Sequence, residues 1–451
     1  MTGIAPSIFP LGASFAGRDY AVLGLARSGL ATVAALIAAD ANVTAWDDRA
    51  EARALGSALG ATIADLGATD LGNMAGLIVS PGVPIDQHPI ALAARAAHVP
   101  ILGDIELFAM AQSTLPQHRV IGITGTNGKS TVTALIHHLL ISAGHDATLG
   151  GNIGLPILSR APLPAGGIYV LELSSYQIDL THSLACDIAV LTNNTPDHLD
   201  RYGGEFMAYA ASKARLFTMQ HADQLSVIAT DDDRCRMIAS HVNHRLVRVS
   251  AHDVARDDQQ HWPALQGPHN AQNVACAVAV VRSVGLTDAQ INSGLRSFQG
   301  LEHRMERVAE KNGVLYVNDS KATNPASSAP ALAAYPPLHG RARIHWIVGG
   351  LAKGEGVGEC AQWLGHVSCA YLIGDAAPML ARTLSGHVAV DKSVTLEKAV
   401  ASAAAVALSD DVVLLSPAAA SFDQFRDYEH RGQSFRDAVA GLSDVVGEGG
   451  I

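Results

Sequence analysis

Short apolar runs recur along this chain with the length and punctuation of strands buried on both faces. Tyr20–Leu23, Val43–Trp46 and Leu77–Ser80 each run into a glycine, an aspartate or a Pro-Gly pair. Between the first two, Ser28–Ala39 spaces its apolar residues at helical intervals. Roughly Pro89–Ala97 does the same before a further run at Val99–Leu102. Strand and helix in strict alternation predict a parallel sheet of the Rossmann-like kind. The pattern restarts near residue 117, with strands at Arg119–Ile123, Ile168–Glu172, Asp187–Leu191 and Leu225–Thr230 and helices over 129–142, 205–217 and 270–283. It restarts again beyond Phe298-Gln-Gly-Leu301, with strands at Val314–Val317, Ile344–Val348, Ala370–Ile373 and Val412–Leu415. The Ala-rich stretch 399–408 reads as a packed helix, and the polar segment Ala251–Pro263 as a surface excursion. These patterns predict an α/β protein of three domains, 1–108, 109–300 and 301–451, without a short fixed repeat.

Composition narrows the function classes. The chain has 451 residues, 48% of them hydrophobic and 16% charged, which is globular and ample for several cores. Its formal net charge of -11 argues against nonspecific nucleic-acid binding, which needs a basic face. A phosphorylated small molecule stays open, because helix N-termini and a metal ion supply positive potential locally. The five cysteines are scattered with no C-x-x-C pair, which fits reduced cytoplasmic thiols. The opening MTGIAPSIFPLG has neither a basic n-region nor a long apolar core, so no signal peptide is expected. No run has membrane-spanning length.

Chemistry concentrates where strands end. Residues 120–131 read VIGITGTNGKST: an apolar strand, a loop with Gly125 and Gly128, then Lys129, Ser130 and Thr131 opening an apolar-periodic helix. Such a loop turns backbone N–H groups of Gly125, Thr126, Asn127 and Gly128 around a phosphate. The lysine reaches the terminal phosphates and the Ser130 hydroxyl can bind Mg²⁺. The spacing departs from the common P-loop, since Ile123 stands where the first glycine belongs and Gly122 is the nearest. ATP is the ligand this loop predicts. The first turn, Gly24-Leu25-Ala26-Arg27-Ser28-Gly29, resembles a dinucleotide fingerprint with Ala26 in place of the second glycine, and Asp47 ends the next strand where an acid would bind a ribose. Glu172 closes an apolar strand beside the phosphate loop, a position suited to Mg²⁺. His198 follows another strand, between Asp197 and Asp200, and the next helix carries Lys213 and Arg215. Asn270 and Asn273 open a helix and share a face, which reads as an N-cap and a polar neighbour. In the third domain His303-Arg304, Asn318–Pro325, Gly349–Gly354 and Ser416–Phe425 are polar clusters at element ends, together suggesting a binding edge.

Taken in order, GITGTNGKST, GGNIG, LELSSYQ, DHLDRY, GPHNAQN, the His303-Arg304 pair, NDSKATN and SPAAASFDQFRDYEHRG resemble the Mur ligases of peptidoglycan precursor synthesis over nearly the whole chain. NDSKATN points to the branch that adds D-glutamate to UDP-N-acetylmuramoyl-L-alanine. The resemblance implies a UDP-sugar-binding Rossmann-like domain, a central P-loop-type ATPase domain with a mainly parallel sheet, and a C-terminal Rossmann-like domain for the incoming amino acid. It implies ATP-dependent amide formation through an acyl phosphate. Lys129, His198 and Lys213 would serve the chemistry. ATP would meet the 125–131 loop, Asn270, Arg304 and Asp319. Two Mg²⁺ ions would be held by Ser130, Glu172, His198 and a carbamylated Lys213. Leu25, Ala26, Arg27, Asp47, Arg49, Ser80 and Asn152 would face the UDP-muramoyl substrate, and Lys321, Thr323, Lys353, Ser421 and Tyr428 the D-glutamate. The departures are modest: Pro196 precedes Asp-His, Ala419 replaces a frequent cysteine, and Tyr428 a frequent phenylalanine. The expected partners are these small molecules, with no nucleic acid and no membrane, for a cytoplasmic monomer. On position alone Lys213 reads equally as a plain helix lysine, solvated or paired with Glu205 or Asp200. A folylpolyglutamate synthase would not need the first domain, and a nicotinamide-dependent oxidoreductase would leave the phosphate loop unused.

Overall fold

The structure, a computed structural model, describes residues 8–442 apart from His198, Lys353 and the side chain of Asp200. Three sheets carry the chain. The first joins β1 (Asp19–Leu23), β2 (Asn42–Trp46), β3 (Thr62–Ile63), β4 (Gly76–Val79) and β5 (Ile101–Leu102) in the order β3-β2-β1-β4-β5, all parallel. The second joins β6 (His118–Thr124), β7 (Ala147–Gly151), β8 (Gly167–Glu172), β9 (Ile188–Leu191), β10 (Leu225–Ala229) and β11 (Arg245–Val249) in the order β11-β10-β9-β6-β8-β7, again all parallel. The third joins β12 (Glu306–Lys311), β13 (Val314–Asn318), β14 (Ile344–Gly349), β15 (Val367–Ile373), β16 (Ala389–Val394) and β17 (Val412–Leu415) in the order β12-β13-β17-β14-β15-β16. There β12 alone runs antiparallel to its neighbour.

The central strands are apolar because helices cover both faces: every residue of β4, β8, β9, β10, β14 and β17 is buried. The edge strands β11, β12 and β16 are mostly exposed or half-buried, so their apolar signal is weak.

The chain folds into two compact units. One holds the first two sheets, up to Ala255 together with Asn270–Leu295. The helix Asp104–Ala111 knits those two sheets: Phe108 packs its ring against Phe9 and Tyr169, with centroids 5.5 and 5.1 Å apart. Buried Glu106 accepts hydrogen bonds from the backbone N–H groups of His182 and Ser183 and from the Ser183 hydroxyl, at 2.6, 3.0 and 2.7 Å. The other unit holds the third sheet, from Arg296 onward, with Arg256–His269. Ala251–Pro263 lies mostly at the surface, as its polar composition predicts, with Gln259 and Trp262 buried. Arg256–Gln259 is helical, and the Gln259 amide donates to the carbonyls of Leu265 and Gly267 beside buried Trp262. The one buried polar residue, Gln259, satisfies the turn's backbone, while the others face solvent.

Candidate functional site

Gly125 takes φ +147, and a Cβ there would lie 1.9 Å from the Thr192 hydroxyl; Gly128 takes φ +82, and a Cβ would lie 2.2 Å from the Asn273 side-chain oxygen. Both positions therefore demand glycine twice, by backbone conformation and by closeness. Gly122 lies inside β6, and its missing side chain makes room for Cys186 rather than for a phosphate. The segment after β9 stitches the loop. Thr126 N–H donates to the Asn193 carbonyl at 2.9 Å, Asn127 N–H to the Asn193 side chain at 2.8 Å, and the Thr192 hydroxyl to the Asn127 carbonyl at 2.6 Å. Asn273 in turn donates to Asn270 Oδ1 at 3.1 Å. The helix here starts at Pro268, so Asn270 and Asn273 sit inside its first turns and neither is the N-cap.

Lys129 opens the helix Lys129–Ser142, and its ammonium donates to the carbonyls of Gly125 and Thr126 at 3.0 and 2.7 Å. Lys213 reaches the same Gly125 carbonyl at 2.8 Å from the helix Phe206–Thr218. It is only 1% exposed, with Nζ 4.5 Å from the centroid of the Tyr209 ring. Neither solvation nor pairing with Glu205 describes it. Burial, and then the Lys129 charge, push its pKa well below the ordinary lysine value, favouring the neutral amine. Tyr209, which sequence reasoning passed over, also shares a hydrogen bond with the Thr126 hydroxyl at 3.2 Å. The one signal for it was its place one turn before Lys213 on the same helix face.

Glu172 ends β8 in register with Ile123 of β6. Its Oε1 accepts from Asn152 Nδ2 at 3.0 Å, while Oε2 is buried with no hydrogen-bond partner. A buried carboxylate oxygen left open at the strand end that adjoins the phosphate loop fits a divalent cation. Among the described residues no group of three or more His, Cys, Asp and Glu side chains gathers. Mg²⁺ bound with phosphates needs only one or two protein ligands. Asn152, expected at the sugar-nucleotide substrate, is thus tied to Glu172 on the central sheet. His198 and Lys353 lie outside the described residues.

The other predicted site residues fall in two further places. At the end of β1, Gly24 takes φ +88, and the Ser80 hydroxyl donates to its carbonyl at 2.9 Å. Asp47 accepts from Leu25 N–H at 2.7 Å and from the backbone and guanidinium of Arg49 at 2.9 and 3.0 Å. These bonds, Arg49 first, hold its pKa down at about 2. Asp47 therefore acts first as a tether for the Leu25–Arg27 loop.

In the second unit, β12 runs antiparallel, which brings Arg304 at its start to the edge where β13 ends; Glu306 pairs with Asn318. His303 and Met305, on either side of Arg304, take φ +60 and +47, a strain that functional sites retain. Asp319 accepts from the Ser416 hydroxyl at 2.8 Å and Met305 N–H at 3.2 Å, and burial pushes its pKa up to about 7. Lys321 Nζ lies 5.8 Å from the Tyr428 ring centroid. Thr323 N–H donates to the Lys321 carbonyl at 3.0 Å, and Ser421 is buried beyond β17. Arg431, unassigned by sequence, is fully buried: it donates to the Ser320 hydroxyl and carbonyl at 3.0 and 2.9 Å and to the Ala419 carbonyl at 3.1 Å, joining the loops that bear Lys321 and Ser421. A cavity of about 200 Å³ opens beside these loops, lined by Pro325, Gly356, Met379, Pro417 and Ala418.

Comparison with known proteins fits this layout. Three domain families match in order: the Mur ligase MurD-like N-terminal domain over residues 18–103, the Mur ligase middle domain over 123–281, and the Mur ligase glutamate ligase domain over 303–419. A UDP-N-acetylmuramoylalanine–D-glutamate ligase of Sphingopyxis alaskensis is 63% identical over 429 residues, covering 95% of this chain and 98% of that protein. The protein of the same name from Caulobacter vibrioides is 42% identical, covering 97% and 98%. Among solved structures, a MurF ligase of Thermotoga maritima in complex with ADP superposes with a TM-score of 0.58 at 16% identity, covering 98% of this chain and 99% of that one. A UDP-N-acetylmuramate–alanine ligase of the same organism gives 0.57 at 17% identity, covering 94% and 99%. Both show the fold. The chain belongs to the Mur ligase family.

Proposed function

We propose that this protein is an ATP-dependent ligase that joins D-glutamate to UDP-N-acetylmuramoyl-L-alanine in peptidoglycan precursor synthesis. The observation that carries the reading is identity of 63% with a ligase of that name over nearly the full length of both chains. The central geometry is consistent with it: a glycine-bound phosphate loop with two lysines on one carbonyl and an open carboxylate oxygen nearby.

A carboxylate is a poor acyl donor at neutral pH. Phosphorylating the L-alanine carboxylate gives an acyl phosphate; the D-glutamate amine attacks it, and phosphate leaves from the tetrahedral intermediate. Lys129 and the N-terminus of its helix stabilise the charge on the transferred group. Ser130 and Glu172 would hold one Mg²⁺, and His198 with a carbamylated Lys213 a second. Bound Mg²⁺ supplies further positive charge to the phosphoryl oxygens. The lowered pKa of Lys213 supports carbamylation, because the neutral amine captures CO₂. Asn270, Arg304 and Asp319 would contact the nucleotide. Leu25, Ala26, Arg27, Arg49 and Ser80 would face the UDP moiety with Asp47 fixing their loop, and Asn152 would act on the muramoyl group beside Glu172. Lys321, Thr323, Lys353, Ser421 and Tyr428 would receive D-glutamate. We assign the domains as 1–108, 109–300 and 301–451, in a monomer acting in the cytoplasm on small molecules, without nucleic acid or membrane, and so serving cell shape and division. The test is phosphate release from ATP with UDP-N-acetylmuramoyl-L-alanine, with and without D-glutamate. Turnover that requires both supports the reading; turnover with glutamate on a folate acceptor, or none with either, overturns it.

A further inference from the structure

Arg201 lies in the single turn Leu199–Tyr202 beyond β9, and no assignment above uses it. Its guanidinium carbon lies 4.0 Å from the centroid of the Tyr176 ring. Nη1 donates to the Pro81 carbonyl at 3.0 Å, so the side chain crosses from the central sheet to the loop after β4. Nη2 is buried and has no hydrogen-bond partner among the described residues. A guanidinium keeps its proton and all its donors, and burying one of them unpaired is unfavourable. A strap between the two sheets would need only the bond to Pro81. The guanidinium held over a ring face and the open Nη2 are what a residue waiting for an oxygen from outside the chain would show.

The neighbouring groups indicate which oxygen. Pro81 follows Ser80, whose hydroxyl holds the Gly24 carbonyl of the β1 turn. The helix Arg27–Ala38 opens from that turn with Ala26 as its N-cap and no side-chain cap, leaving its first N–H groups for an anion. Asp47, the carboxylate at this turn, is committed to Leu25 and Arg49, and Arg49 is balanced by it in return. An arriving diphosphate would need a further cation, and Arg201 offers one from the other sheet with its orientation already fixed on Tyr176. We propose that Arg201 is a substrate-binding residue that donates through Nη2 to the diphosphate of the UDP-sugar substrate, so that this ligand bridges the first and second sheets. The inference rests on the function proposed above.

Calorimetric binding tests it. Wild-type protein is titrated with UDP-N-acetylmuramoyl-L-alanine, with UDP and with ADP; absence of wild-type affinity for the first would count against the proposed function itself, not against Arg201. In Arg201→Met, which keeps an apolar stem on Tyr176, both uridine ligands should bind at least tenfold more weakly by a common factor, with ADP unchanged. Arg201→Lys retains charge without the fork and should lose less; it also serves if the methionine variant does not fold. Wild-type affinity for UDP in the soluble variant overturns the proposal. So does a loss confined to the complete substrate, which would move the contact off the diphosphate, or an equal loss of ADP binding, which would mark a structural role.

Discussion

The turn after β1 and the turn after β6 both lead from a buried strand through a positive-φ glycine into a helix, yet different groups hold them. The β6 loop is stitched by neutral hydrogen bonds to Thr192 and Asn193, and two lysines converge on its Gly125 carbonyl. The β1 loop is held by one carboxylate, Asp47, and one hydroxyl, Ser80. The first arrangement concentrates positive charge in a buried place, where it acts strongly on a phosphoryl group and disfavours a second ammonium. The second neutralises its own charge at a more open rim, which suits binding without chemistry. The contrast predicts that changes at the β6 loop cost turnover and that changes at the β1 loop cost sugar-nucleotide affinity and a little stability.

The largest effect should come from Lys129→Ala. Removing a preorganised cation from a developing phosphoryl charge costs roughly a hundredfold or more in kcat, while circular dichroism should show an intact fold. Near wild-type turnover would break the contrast at its root. Lys213→Ala should come next, losing most activity. If the amine acts as a carbamate, acetate or formate should restore part of it and bicarbonate depletion should slowly lower wild-type activity. Because the folded-state pKa lies below the ordinary lysine value, the neutral amine needed for CO₂ capture is populated at lower pH than for a free lysine. Bicarbonate rescue of depleted enzyme should therefore be present near neutrality and weaken as acid protonates the amine. Full activity in Lys213→Ala would assign the lysine to packing.

Much of this was legible in the residues themselves, because local physics wrote it there. β1, β4, β8, β9 and β14 are buried on both faces and so read as apolar runs. The phosphate loop declares itself through glycines whose φ values leave little choice. What the sequence hid is long-range or polar. The edge strands β11, β12 and β16 were missed because exposed and half-buried residues dilute their apolar signal, β7 because its ATLGG sequence is short of large apolar side chains, and the antiparallel course of β12 has no local signature. Nothing around Asp47 says that its carboxylate folds back onto Leu25, and nothing around Arg431 says that a fully buried guanidinium joins two distant loops. Pairings across many residues leave no trace in spacing.

A pair of glycine substitutions sharpens the contrast at moderate cost. In Gly128→Ala the new methyl would press on Asn273 at a φ that alanine resists, so ADP affinity should fall about tenfold, near 1.4 kcal/mol. In Gly29→Ala the methyl would lie 1.9 Å from the Gly24 carbonyl, a backbone atom that cannot swing away. That change should weaken UDP binding and lower stability by on the order of 1–3 kcal/mol, leaving ADP binding in place. Crossed or equal effects on the two nucleotides would show that the loops are not independent binding elements.

Asp47→Asn is the gentlest change. The asparagine oxygen can still accept from Leu25, but the ionic partner of Arg49 is gone, and because Arg49 is largely exposed the loss should be small. The pH dependence carries more information than the size. Asp47 has a folded-state pKa of about 2 against an ordinary value of 3.8, so its stabilisation is complete above the unfolded value and is lost as pH falls from there through about 2. Thermal melts of wild type and Asp47→Asn should therefore differ by a constant small gap from neutral pH down to about 4, then converge as acid protonates the wild-type carboxylate. Added salt should narrow the gap at neutral pH, since the pair is near the surface. A gap that persists unchanged into acid would mean that the tether works through the shape of the side chain alone, and the β1 turn would then be held, like the β6 loop, by neutral hydrogen bonds.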